Sequence, residues 1–201
     1  MSDWIVSIIT EFGYLGIVLL MVLEAMFPPI PSEMIIPFAG YTAATGALDP
    51  VLVVLAATVG STLGAIPWYA AGRLFGLGRC KWLAFRYGRW LTISAKDIDL
   101  ADRWFDRYGW TVVFFGRLVP VIRTLISVPA GLTGMPVWLF ALTSLAGMLV
   151  WNSILVGAGY LLHEHYHLVE RFVDPLTYVV LGAIIVTYLW RVITWKAPAS
   201  S

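Results

Sequence analysis

Charge is scarce in this sequence: of 201 residues only 12% are Asp, Glu, Lys or Arg. Two stretches, Pro50 to Gly72 and Thr124 to Leu162, carry none at all. With 60% hydrophobic residues and a mean hydropathy of +0.83, a soluble domain is excluded, because it could not hide that much apolar surface. About 20 apolar residues cross a bilayer as a helix, so each uncharged stretch holds at least one crossing. Cysteine is nearly missing too. Cys80 stands alone, so no internal disulfide can form and redox chemistry is not expected. No Lys or Arg precedes the first hydrophobic run, which argues against a cleavable signal peptide. What is plentiful is aromatic: ten Trp and nine Tyr suit belts at the membrane interfaces.

The few charges are unevenly placed. Of thirteen Lys and Arg residues, eight fall between Arg73 and Arg107, against four acids, Asp97, Asp99, Asp102 and Asp106. By the positive-inside rule that segment is cytoplasmic. Within it Ser94 and Asp97 resemble a capping box, and Ile98, Ala101, Trp104, Phe105 and Tyr108 share one helical face, as on a helix lying on the membrane surface. Arg191 and Lys196 follow the last hydrophobic run and place the C-terminus in the cytoplasm as well.

Between Glu11 and Glu24 only 12 uncharged residues occur. A helix of that length reaches about 18 Å, roughly half of a 30 Å hydrocarbon core. Pro28, Pro29 and Pro31 then stop it, and a second uncharged arm, Met34 to Leu48, follows. This predicts a re-entrant hairpin. The stretch "YGWTVVFFGRLVPVIRTLISVPAG" repeats the design, with an arm from Tyr108, a break at Pro120 and a return past Pro129. The breaking and returning prolines lie nine apart in both copies, Pro28 to Pro37 and Pro120 to Pro129. Both arms open on an aromatic-Gly-aromatic triplet, Phe12-Gly13-Tyr14 and Tyr108-Gly109-Trp110. After each comes a span with a Gly-x-x-x-Trp, Gly64/Trp68 and Gly147/Trp151. Together these predict two inverted repeats whose hairpin tips meet at the midplane, where transporters bind substrate.

The expected layout is one all-α membrane domain over 1–201. It reads as an interfacial helix 1–11, hairpin 12–48, a span 50–72, a cytoplasmic amphipathic segment 73–108 and a second hairpin 109–134. A span 136–162, an external loop 163–174 and a last span 175–195 complete it.

The first tip carries Glu24 and Glu33, the second Arg117 and Arg123. Each ionised group near the bilayer centre costs about 2.5–3.5 kcal/mol by insertion scales. Mutual neutralisation, two acids against two arginines in a hydrated pocket, lowers that cost. On one view such pairs only staple the hairpins together; on the other, favoured here, they are functional. Two arginines offer forked donors that fit phosphate oxygens. Backbone freed by the prolines and by Gly116, Gly131 and Gly134 could add amides. A phosphate competing for Arg117 and Arg123 strips Glu24 or Glu33 of its partner and favours the protonated acid. Anion binding then brings proton uptake, as a proton-driven carrier needs.

At these residues the chain resembles the DedA family, the bacterial branch of the VTT (SNARE-associated) membrane proteins. The resemblance covers roughly residues 10–165. It rests on the tip "EAMFPPIPSE", on "GSTLGAIPWYAAGRLFG" over 60–76 and on "FFGRLVPVIRTLISVPAG" over 114–131, of which Gly-Arg-x-x-Pro-x-x-Arg is the most specific. It implies a re-entrant-loop lipid transporter of the bacterial inner membrane that depends on the proton-motive force. Undecaprenyl phosphate is the leading substrate and a phospholipid flippase or scramblase the alternative. The family's essential acids and arginines map onto Glu24, Glu33, Arg117 and Arg123, with Pro28, Pro29, Pro31, Gly116, Pro120, Pro129 and Gly131 shaping the tips. Many members carry an acid after the glycine of the 60–64 region; here Ser61 stands there.

Other readings compete. An intramembrane lipid phosphatase would need a nucleophile or base beside the arginines. The only histidines are His163, His165 and His167, far along the sequence, and no Ser-Gly-His pattern occurs. A bilayer-shaping scaffold and a small-ion or drug carrier are the remaining alternatives. "HEHYH" could hold zinc or sense pH, but is read first as a polar turn outside the membrane. Arg73 reads as a snorkelling anchor. Asn152 is either an interhelical hydrogen-bond partner or a pocket liner. No enzyme activity, cofactor, metal or nucleic-acid partner is expected; the partners are the lipid and protons. Gly60, Gly64 and Ala65 allow close helix packing within the chain or between copies of it.

Overall fold

Lipid offers no water to bond backbone amides, so a chain this apolar satisfies them within helices. A computed structural model describes residues 3–26, 32–91, 95–161 and Trp190, and among them every regular element is helical. The order is α1 (Asp3–Met26), α2 (Ser32–Ala44), α3 (Pro50–Leu91), α4 (Ala95–Tyr108), α5 (Trp110–Arg117), α6 (Pro120–Leu125), α7 (Ser127–Leu132) and α8 (Val137–Leu161). Trp4–Met26, Pro50–Trp82 and Val137–Leu161 are each long and apolar enough to cross a membrane. Their outer faces are as oily as their inner ones. On α1, Leu15, Leu19 and Leu23 form an exposed row at i+4 spacing, while Ile17, Leu20 and Met21 are buried. A surface of that kind is wetted by lipid, and the chain is an integral membrane protein.

Two bends share one conformation. Gly13 interrupts α1 at φ 55°, ψ −127°, and Gly109 separates α4 from α5 at φ 50°, ψ −120°. Side chains are strongly disfavoured there, so glycine between the paired aromatics lets the helix turn. The sequence suggests a separate helix over 1–11; the observed helix runs on from Asp3 and bends at Gly13. From that bend 13 residues remain to Met26, about 20 Å of helix.

The start of α3 is fixed by Asp49, whose Oδ1 accepts from the amides of Val51 (2.8 Å) and Leu52 (3.1 Å), with Pro50 at the first helical position. The Asp49 amide itself donates to the Tyr14 hydroxyl at 2.8 Å, tying this start to the bend of α1. The helix continues past the expected end at Gly72 and turns at Gly76 (φ 70°, ψ 159°). Helix α4 forms on the periodicity noted in the sequence. Ile98 and Phe105 point inward, whereas Trp104 and Tyr108 stay exposed with ring centroids 5.2 Å apart.

Packing between the halves is exchanged. Helix α1 lies on α3 and α5 on α8, but α2 packs against α8 and α7 against α3. Both crossings are glycine contacts. A Cβ on Gly40 would meet the Val156 carbonyl and one on Gly159 that of Pro37; a Cβ on Gly72 would meet the Val128 carbonyl and one on Gly131 that of Tyr69. Only glycine admits backbones that close. The core is accordingly double. Ile17, Leu20, Ile35, Ile36, Val53 and Val156 form one cluster; Tyr69, Val113, Ala130, Phe140 and Met148 belong to the other.

Pro28, Pro29 and Pro31 at the first tip lie outside the described residues, as do Ser94, the 163–174 loop with His163, His165 and His167, and nearly all of the span expected over 175–195.

Candidate functional site

Four ionisable side chains come from helix ends. Glu24 stands in the last turn of α1 and Glu33 in the first turn of α2; Arg117 closes α5 and Arg123 lies on α6. The second break follows from Pro120, which has no N–H to continue α5 and instead occupies the first position of α6. Leu118 and Val119 step between the two, and Val119 is extended. Arg117 and Arg123 therefore sit on either side of one corner.

That corner brings them to the glutamates. Arg123 Nη2 donates to Glu24 Oε1 at 3.0 Å and to Glu33 Oε1 at 3.1 Å, contacts spanning 99 and 90 residues of chain. Glu24 is 8% exposed; the side chain of Glu33 is 33% exposed, so the pair opens outward on that side. The guanidinium of Arg123 also lies over the Trp151 ring, 5.8 Å from its centroid.

Arg117 is used differently from the sequence expectation. Both acids converge on Arg123, and among the described residues Arg117 makes no ion pair. It is 2% exposed and held by neutral acceptors. Its Nε and Nη2 donate to Ser144 Oγ (3.3 and 3.1 Å), Nη2 donates to Ser127 Oγ (2.9 Å), and Nη1 donates to the backbone carbonyl of Arg123. Phe140 lies under the guanidinium, 5.4 Å away. Arg117 thus fixes the backbone that carries Arg123.

Glu24, Arg117 and Arg123 line a cleft that is partly open to the outside, together with Ser61, Trp68, Thr124, Ser127, Trp151 and Asn152. Asn152 fills both roles considered for it: it lines the cleft, and its Nδ2 donates to Thr58 Oγ1 at 3.2 Å across α8 and α3. The Ser61 hydroxyl turns back to the Ala57 carbonyl at 2.8 Å. Arg73 holds a loop as well as facing out: Nη1 donates to the Tyr69 hydroxyl (2.6 Å) and the Met135 carbonyl (3.1 Å). Of the tip residues, Gly116 is buried beside Ile126, and Pro129 and Gly131 lie in α7.

Sequence reasoning passes over Ser127 and Ser144, the residues that hold Arg117. One signal could have found the second. Aligning the two Gly-x-x-x-Trp segments sets Ser144 opposite Ser61, three residues before each glycine.

The chain matches the VTT domain over residues 15–161. It is 36% identical over 190 residues to an "alkaline phosphatase-like protein" of Lactococcus lactis subsp. cremoris (strain MG1363), covering 94% of this chain and 89% of the relative. It is 32% identical to undecaprenyl phosphate transporter A of Staphylococcus aureus (strain NCTC 8325 / PS 47), with 97% and 96% covered. To the Bacillus subtilis (strain 168) protein of the same name the identity is 31%, with 94% and 92% covered. No solved structure matches.

Proposed function

This chain belongs to the VTT domain family, and from that premise we propose that it carries an anionic lipid across the bacterial inner membrane, undecaprenyl phosphate first among the candidates. The observation that carries the reading is one cation, Arg123, holding two carboxylates, Glu24 within a cleft lined by both halves of the chain and Glu33 beside it. With Arg117 in the same cleft the cluster balances two cations against two carboxylates while empty, and it has a guanidinium to offer a phosphate. The names of the staphylococcal and bacillar relatives support the substrate class.

In this reading a lipid phosphate competes with Glu24 and Glu33 for Arg123. Arg117 completes the phosphate site or holds its frame. Carboxylates deprived of their cation at membrane depth favour the protonated form, so phosphate entry draws in a proton. The proton-motive force then drives the lipid in one direction. Inverted repeats supply the two-sidedness. The shared bends at Gly13 and Gly109, the exchanged arms α2 and α7, and the 20 Å arm of α1 support re-entrant hairpins meeting at this cleft. The basic 73–107 segment and Arg191 support a cytoplasmic C-terminus.

The test is transport in proteoliposomes. Fluorescent undecaprenyl phosphate is expected to move faster with an imposed pH gradient, and Arg117→Ala and Arg123→Ala to lose that movement while remaining folded. Movement no faster than in empty vesicles would overturn undecaprenyl phosphate as the substrate and put phospholipids next. Release of inorganic phosphate would turn the reading toward hydrolysis.

A further inference from the structure

The two tryptophans of the repeated Gly-x-x-x-Trp segments have different fates. Trp68 Nε1 donates to the Ala25 carbonyl at 2.8 Å and so closes α3 onto the end of α1. Gly64, four residues earlier, packs against Val22 and Ala25 of α1; Gly147 packs in the same way against Phe114 and Arg117 of α5. By that correspondence Trp151 should donate to the Arg117 carbonyl. It does not. Its Nε1 is buried without a hydrogen-bond partner, and among the described residues it is the one side-chain donor or acceptor in that condition. A buried N–H without an acceptor is unfavourable, and where it persists it calls for an explanation.

Trp151 lines the charged cleft, under the guanidinium of Arg123. Arg117, by contrast, has Nε, Nη1 and Nη2 all committed to Ser144, the Arg123 carbonyl and Ser127. We infer that the Trp151 indole N–H is a substrate-binding donor, which with Arg123 grips the oxygens of a lipid phosphate, while Arg117 is a positioning residue that holds the Arg123 backbone. This rests on the phosphate-carrier reading of the same cleft. Protein atoms cover the N–H in the empty state, so an acceptor reaches it once a neighbour moves. Arg123, lying over that ring, is the neighbour that must leave the glutamates when phosphate enters. A neutral N–H suits the role: it adds a directed donor for a phosphate oxygen without a further buried charge to neutralise.

The experiment measures equilibrium binding of undecaprenyl phosphate and of uncharged undecaprenol to the native protein, Trp151→Phe and Trp138→Phe in nanodiscs. Trp151→Phe keeps an aromatic ring for Arg123 and deletes the donor together with the pyrrole ring that carries it, a loss of apolar surface that uncharged undecaprenol registers equally. It is expected to weaken the phosphate lipid about tenfold relative to undecaprenol, the effect of one hydrogen bond to a charged group. Trp138→Phe, on an exposed residue of α8 outside the cleft, is expected to leave the preference for the phosphate form intact. A native preference for the phosphate lipid in Trp151→Phe overturns the inference and leaves the carrier reading standing. A native protein with no preference for the phosphate form overturns both. Should Trp151→Phe fail to fold, benzothienylalanine at position 151, with sulfur in place of the N–H, gives the same readout.

Discussion

The two halves of this protein share a plan and divide the labour. At the first Gly-x-x-x-Trp, Trp68 is bonded to the backbone of its own half and Ser61 to the carbonyl one turn back, so both are spent on structure. At the second, Ser144 receives a buried arginine and Trp151 keeps its donor. The acids come from the first half and the arginines from the second. The cleft is therefore asymmetric although the α3 and α8 segments that line it carry the same Ser-x-x-Gly-x-x-x-Trp pattern.

That contrast can be broken most severely at its centre. Arg123→Ala leaves Glu24 and Glu33 without their shared cation, and removing one partner of a buried pair costs about 3–5 kcal/mol. Thermal unfolding should register the loss, and transport should vanish with it. Glu33, the more exposed carboxylate, should lose less than Glu24 when each is replaced in turn by Gln.

Ser144→Ala against Ser61→Ala comes next. The first deprives Arg117 of an acceptor for two of its nitrogens, an effect of about 1.5–3 kcal/mol for bonds to a charged group. The second removes only a bond to the helix's own backbone and should change melting little. Equal effects would mean that the two serines are not specialised.

Where the halves are alike, the substitutions should be alike too. Gly13→Ala and Gly109→Ala each force a side chain into the same disfavoured region, at about 1–3 kcal/mol apiece. Chemical denaturation of both variants should give matching shifts; a large difference would mean that the bends are not equivalent.

The smallest expected effect sharpens the contrast most. Trp68→Phe and Trp151→Phe each lose the packing of one indole ring, but only Trp68→Phe also loses a hydrogen bond, about 1 kcal/mol, so it should lower the melting temperature further.

Much of this was legible in the sequence, for physical reasons. Ionised groups in an apolar run are costly enough that their presence marks a site, and Glu24, Glu33 and Arg123 do meet. The amphipathic period of α4 is clear because its polar residues contrast with the rest of the chain. Individual partnerships were not legible. Serine in a membrane helix commonly turns back on its own backbone, as Ser153 does toward Leu149, so nothing in composition sets Ser127 and Ser144 apart. The convergence of both acids on one arginine depends on the rotation of α6 after Pro120, which a run of apolar residues does not encode. Nor could the sequence say which of two equivalent tryptophans would be left with a donor to spare.

The exchanged arms bear on how the molecule is made. Helix α2 finds its glycine contact on α8, which lies almost a hundred residues further along the chain. During synthesis the first half must wait, its Gly40 face unmet, until residues 137–161 have been released into the bilayer. Each half is the other's missing partner. Cut within the 73–108 segment and produced as two polypeptides, neither fragment should be stable alone, and together they should reassemble.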